Sequence, residues 1–182
     1  MDTLLRALLI SAALISVAYC SCVARMGTYP GYTGAYPPSG MVMVSGARGS
    51  TQLEVSYDLK GTQPNSAAGT QGIHIHTGTS CDEDHVAGHF FATASDPWST
   101  YTGPTDANGD TSGKFNVWPG LSMCDITGHV VVVHDGSKTK IGCGVCYESC
   151  TASIKAYPGT SDGKYSNIPL WPYHNDGIST EN

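Results

Sequence analysis

Apolar and polar residues alternate without a break through 53–60. Leu53, Val55, Tyr57 and Leu59 are apolar, and Glu54, Ser56, Asp58 and Lys60 between them are polar. A period of two places one set on each face, so this stretch predicts a strand with one buried side. The same period recurs in 113–118, where Lys114, Phe115, Asn116 and Val117 alternate. The valine run in 129–134 predicts a strand buried on both faces. Residues 41–45, 72–77, 90–94 and 141–147 add further strand candidates. Turn chemistry separates them: Gly61 and Gly69 bracket a loop, Asp96 precedes Pro97, Gly103 precedes Pro104, and Asn108 precedes Gly109. After the first residues no segment of ten or more shows a helical period. Many short strands joined by turns predict an all-β sandwich or barrel.

The ends differ from this middle. Residues 7–18 are nearly all apolar and follow Arg6. Their length suits the core of a signal peptide rather than a membrane span, which needs about 20 apolar residues. Ser16 and Ala18 suit a cut after Ala18, and cuts after Cys20 or Cys22 also fit. The chain therefore divides into a signal peptide (1–22), a Pro/Gly/Tyr-rich leader (23–40), a β-domain (41–150) and an irregular tail (151–182). The tail carries Ile168, Leu170, Trp171 and Tyr173, which could dock on the domain, and His174, expected to be exposed. Charged residues make up only 13% of the chain, against about 25% in an ordinary soluble domain. With 22 glycines and 10 tyrosines, this composition suits a secreted, extracellular protein. The net charge is −6 and there is no basic run, which excludes nucleic-acid binding through phosphate neutralisation. No membrane partner is expected beyond surface association.

Seven cysteines in a secreted chain read as disulfides. Cys20 and Cys22 lie at the processing boundary. The other five are Cys81, Cys124, Cys143, Cys146 and Cys150. An odd number leaves one thiol free, or available for an intermolecular disulfide, unless Cys20 or Cys22 is retained.

Histidines add chemistry. In Gly72-Ile73-His74-Ile75-His76 two imidazoles fall on one strand face, roughly 6–7 Å apart. His89 follows, and His134 ends the valine strand. Four imidazoles on strands and loop edges suit copper or zinc. Taken alone, a His-x-His pair equally fits two half-buried histidines bonded to backbone.

The wider context resembles the Cu/Zn superoxide dismutase family. The stretch 72–76, with Cys81 after it and Gly88-His89-Phe90 beyond, is similar to the family's first motif. Gly128 followed by Val130–His134 and then Asp135 is similar to the second, and Gly142-Cys143-Gly144-Val145 to the third. The resemblance implies a Greek-key β-barrel or sandwich of about eight strands. It implies His74, His76, His89 and His134 as copper ligands, Cys81 and Cys143 as a disulfide, and superoxide as substrate. It also implies that His89 donates a proton during turnover.

Departures from the family refine this. Between His89 and Asp110 there is no histidine, so one copper ion and no zinc are expected. The loop between His134 and Cys143 is short. Both features resemble the copper-only branch, including its copper-only repeat proteins, although this chain has one such domain. Where the family has an arginine near the copper, this chain has Lys140, with Lys138 expected on the same strand side. Lysine attracts an anion as a point charge but lacks a bidentate fork. Without zinc, His89 needs an acceptor to orient it; the order of expectation is Asp106, then Asp96, then Asp110. The catalytic set is thus His89, Lys140 and Asp106.

His85 is expected to be solvated and His129 structural, on the face opposite His134. Cys124 is expected to pair with Cys146 or Cys150, and Trp98, Trp118 and Trp171 to pack. The function so implied is an antioxidant oxidoreductase, a secreted copper-only superoxide dismutase of low to moderate turnover. The rival is a non-catalytic copper-binding or structural extracellular protein on the same barrel.

Overall fold

A computed structural model describes residues 19–98 and 102–148. Seven strands follow one another: β1 (Tyr19–Thr28), β2 (Ser39–Ala47), β3 (Leu53–Lys60), β4 (Gly72–His76), β5 (Thr111–Val117), β6 (Val130–His134) and β7 (Lys140–Glu148). They form one antiparallel sheet in the order β4-β6-β7-β1-β2-β3-β5. β1, β2 and β3 are a meander. The chain then crosses to the far end of the sheet for β4, back for β5, and over again for β6, a Greek-key order.

The sheet curls round one core. Every strand sends alternate side chains into it: Cys22, Ala24, Val42, Val44, Leu53, Val55, Leu59, Ile73, Ile75, Val117, Val131, Val133 and Ile141 are buried in one cluster. A single-turn helix, α1 (Met123–Ile126), adds Met123 and Ile126 to this cluster. The residues of β4 and β6 that do not face this core lie beneath a loop. Val130 and Val132 pack there with Tyr29, Val86 and Cys143 in a second cluster. The valine strand is thus buried on both faces, as its sequence predicts.

Two expectations change. Residues 23–28, predicted as leader, belong to β1, which pairs with β2 on one side and β7 on the other. An apolar segment at a processing boundary and a sheet strand share the same signal, short runs of small and apolar residues, and the one conceals the other. Residues 90–94 form no strand; the chain there makes only an isolated bridge, His76 to His89, before turning away. The described strands number seven, in keeping with the expected barrel of about eight.

Cys22 and Cys146 form a disulfide, both fully buried. This corrects the expected pairing of Cys124 with Cys146. The sheet brings β1 beside β7, which no local pattern announces. Cys124 has a free, exposed thiol on α1, and Cys20 is free and partly buried. The second disulfide is Cys81 to Cys143. Cys150, His174, Trp171 and the segments 1–18 and 151–182 lie outside the described residues. Among the described residues no helix is long and apolar enough to cross a membrane.

Candidate metal centre

β4 is buried along its whole length because its core face carries Ile73 and Ile75 while its other face carries His74 and His76. β6 lies antiparallel beside it, with Gly72 opposite His134. Gly72 has a steric reason: a Cβ there would stand 2.6 Å from Nε2 of His74. A break in register between Val133 and His134 bends the end of β6, the kind of irregularity that re-aims a side chain.

His89 arrives from the loop after β4. The loop folds back through Thr77 N–H to Gly88 O (2.9 Å) and Phe90 N–H to Ile75 O (2.8 Å). Cys81 anchors the loop to β7 through Cys143. His74, His76, His89 and His134 each offer one ring nitrogen, and these atoms lie within 4.8 Å of one another. Nδ1 of His74 and Nε2 of His89 are 2.8 Å apart. Metal–nitrogen bonds of about 2 Å span at most about 4 Å between opposite ligands. The four nitrogens therefore need to draw in by less than about 1 Å to close on an ion.

The tautomers suit this. Nδ1–H of His76 donates to the carbonyl of Ala87 at 2.8 Å, which leaves the lone pair on Nε2. Ala87 holds that carbonyl in place with a left-handed backbone, φ 57°, a conformation that side chains seldom adopt. Nε2 of His76 and Nδ1 of His134 are buried with no hydrogen-bond partner among the described residues. Orphaned buried nitrogens are costly unless something is meant to meet them. Burial, followed by the neighbouring histidines and Lys140, pushes His134 down to about 3. Burial pushes His76 down to about 4 despite the opposing bond to Ala87. At neutral pH both rings are uncharged and able to ligate.

This geometry has a measurable consequence without metal. In the unfolded chain both histidines take protons near pH 6.5, but in the fold only near 4 and 3. Between those values the unfolded chain binds more protons. Stability of the metal-free protein is therefore full above about pH 6.5 and falls as the pH is lowered towards 4. Urea melts at a series of pH values should show the midpoint dropping across that window, and a His134→Asn variant should show a shallower drop.

The orienting acceptor for His89 is Asp96. His89 Nδ1 donates to Asp96 Oδ2 at 2.6 Å. The other oxygen of Asp96 accepts from the N–H of Trp98 at 2.9 Å, and the Trp98 indole N–H donates to Phe90 O. Partial burial raises the Asp96 carboxyl, but the bonds from His89 and Trp98 outweigh it and hold it low. Asp106, expected first in this role, instead accepts from the N–H groups of Asn108 and Asp110 and closes its own turn. Asp110 pairs with Lys60 at 3.4 Å. Asp96 also forms a turn, and its sequence signal is the same as theirs; only the fold shows which aspartate faces His89.

Lys140 lies opposite His134 in the ladder. Its ammonium stands 3.4 Å from the Ala87 carbonyl and 5.5 Å from the Tyr29 ring centre. Lys138 is in the turn before β7, with φ 65°, rather than on the strand beside Lys140. His129 packs its ring against Phe90 and bonds Thr77 O through Nδ1 at 3.0 Å, a structural placement. His85 is exposed near Asp82. Trp98 is buried and its ring centre is 6.3 Å from that of His74, whereas Trp118 is exposed, against the expectation that it packs.

The sequence matches no protein-family model and no curated protein. Solved structures with a similar fold include the Cu(II) form of Candida albicans superoxide dismutase 5, at 18% identity over 71% of this chain and 92% of that one, with a TM-score of 0.47. Two mutants of the same protein align at 18% and 19% identity, over 74% and 70% of this chain and 95% and 91% of theirs, with TM-scores of 0.48 and 0.49. At such values the likeness says nothing about chemistry, which rests on this chain's own residues.

Proposed function

We propose that this protein is a secreted copper-only superoxide dismutase. The observation that carries the reading is the four-histidine cluster, with two buried ring nitrogens that have no hydrogen-bond partner among the described residues. All donors are imidazoles, a set that suits copper. No histidine follows between His89 and Asp110 to build a zinc site, so one copper and no zinc is the expected content.

Copper, when bound, supplies a one-electron couple: one superoxide is oxidised to O2, and a second is reduced to hydrogen peroxide with two protons. The chain's residues do the rest. His74, His76 and His134 come from paired strands and are held rigidly by the sheet. His89 comes from a loop and its side chain is partly open to solvent, at 26% exposure. It is therefore the histidine best placed to carry a proton on Nε2, with Nδ1–H fixed on Asp96. Lys140 supplies positive charge beside the cluster in a protein that is acidic overall, so attraction of an anion is local.

Superoxide removal by the copper-loaded chain, set against His134→Ala, tests this. Catalysis by the first and none by the second is expected. One bound copper with activity no higher than the variant would leave a non-catalytic copper protein. Asp96→Asn should lower activity by roughly tenfold or more, the usual scale for a partner that orients a metal-binding histidine. Asp106→Asn should stay within about twofold, since it lies outside that chain of bonds.

Secretion with cleavage fits the two disulfides. A cut after Cys22 would remove a buried cysteine and the start of β1. The cut after Ala18 keeps both, so mass spectrometry of the secreted protein should find Tyr19 at its N-terminus.

A further inference from the structure

Lys140 lies opposite His134, beside the four histidines, but lysine is a poor self-positioner. Its charge sits on a flexible four-carbon stem, without the planar fork by which arginine braces itself. Here one carbonyl, that of Ala87, reaches the ammonium, at 3.4 Å. Beneath it lies Tyr29, with 5.5 Å between Nζ and the ring centre, inside the range of a cation–π contact.

Tyr29 is placed for this by the backbone. It follows β1 directly, and its N–H donates to the carbonyl of Ile141, the neighbour of Lys140, at 2.9 Å. The residue is only 7% exposed and packs with Val86, Val130, Val132 and Cys143. Glu83 and Asp84 act on Tyr29 electrostatically from the loop. Among the described residues no carboxylate comes within ion-pair distance of Lys140. The ammonium is thus held by a neutral carbonyl and a neutral ring rather than by an ion pair.

We propose that the Tyr29 ring is a positioning surface that holds the Lys140 ammonium beside the four histidines, and so sets how tightly the site takes a small anion. The anion part rests on the copper reading of the cluster; the ring–ammonium contact does not.

Azide titration of the Cu(II)-loaded full chain, followed by its absorption, reads the anion part. Lys140→Met should weaken azide binding roughly tenfold. Tyr29→Leu should weaken it roughly three- to fivefold, and Tyr29→Phe, which keeps the ring, should match the wild type. Tyr29→Leu added to Lys140→Met should cost nothing more. Equal losses for Tyr29→Phe and Tyr29→Leu, or a loss that persists without Lys140, would overturn the proposal. A second measurement needs no copper and no leucine variant. Lysines of the metal-free chain are reductively methylated with a 13C label, and the Lys140 signal is assigned by its absence in Lys140→Arg. An upfield ring-current shift of that signal in wild type and in Tyr29→Phe is expected, and an unshifted signal would overturn the contact. If the chain takes up no Cu(II), the copper reading fails, while the Lys140 signal still decides the contact.

Discussion

Replacing His76 by alanine is expected to abolish superoxide removal and to weaken copper binding by well over the roughly 10–100-fold that loss of an outer hydrogen-bond partner costs. His76 is 2% exposed, its Nδ1–H is committed to Ala87, and its Nε2 has no hydrogen-bond partner among the described residues. The ring is held in one orientation whose only outlet is the cluster. His76→Ala leaves a cavity, yet it also removes a buried nitrogen whose burial was unfavourable. The metal-free fold should survive, so circular dichroism of the variant should match the wild type while a chelator competition shows the lost affinity. His85→Ala, on the exposed loop, should change neither. A variant that kept copper affinity would mean that the remaining three histidines suffice.

The second large effect lies in the frame. Cys22 and Cys146 join strands that are neighbours in the sheet but 124 residues apart in sequence. Closing so long a loop is worth about 5 kcal/mol in the chain-entropy view, and measured losses run about 2–5 kcal/mol. The Cys22→Ala/Cys146→Ala double variant should therefore melt roughly 10 °C or more below the wild type. Both sulfurs lie in the main core, so smaller side chains add a packing loss to the entropic one. Cys124→Ser, on an exposed thiol outside both bridges, should leave the melting temperature within a degree or two. Scanning calorimetry of the three proteins decides between this account and one in which β1 is dispensable.

Much of the candidate metal centre is legible in the amino-acid sequence, for a physical reason. A strand alternates faces, so His74 and His76 announce a shared face, and Ile73 and Ile75 announce the core behind it. The valine run in β6 reports burial on both sides. Gly72 carries meaning that only the fold explains: its missing Cβ makes room for the His74 ring. The Cys22–Cys146 bridge, the partner of His89 and the role of Tyr29 are not legible there. Each depends on strands or loops meeting across the sheet, and β1 itself hides in an apolar stretch that serves equally well as a processing signal. Asp96, Asp106 and Asp110 carry the same turn-forming signal, and no local pattern separates the one that faces a histidine from Asp106, which closes its own turn, and Asp110, which reaches Lys60 and Gly61.

The most direct test is a copper titration of the metal-free chain with superoxide decay followed after pulse radiolysis. Catalysis should rise linearly with added copper, stop at one equivalent per chain, and be unaltered by equimolar zinc. A chain that reaches one bound copper without accelerating the decay, or one whose activity needs a second metal, would contradict a four-histidine copper site that dismutates superoxide alone.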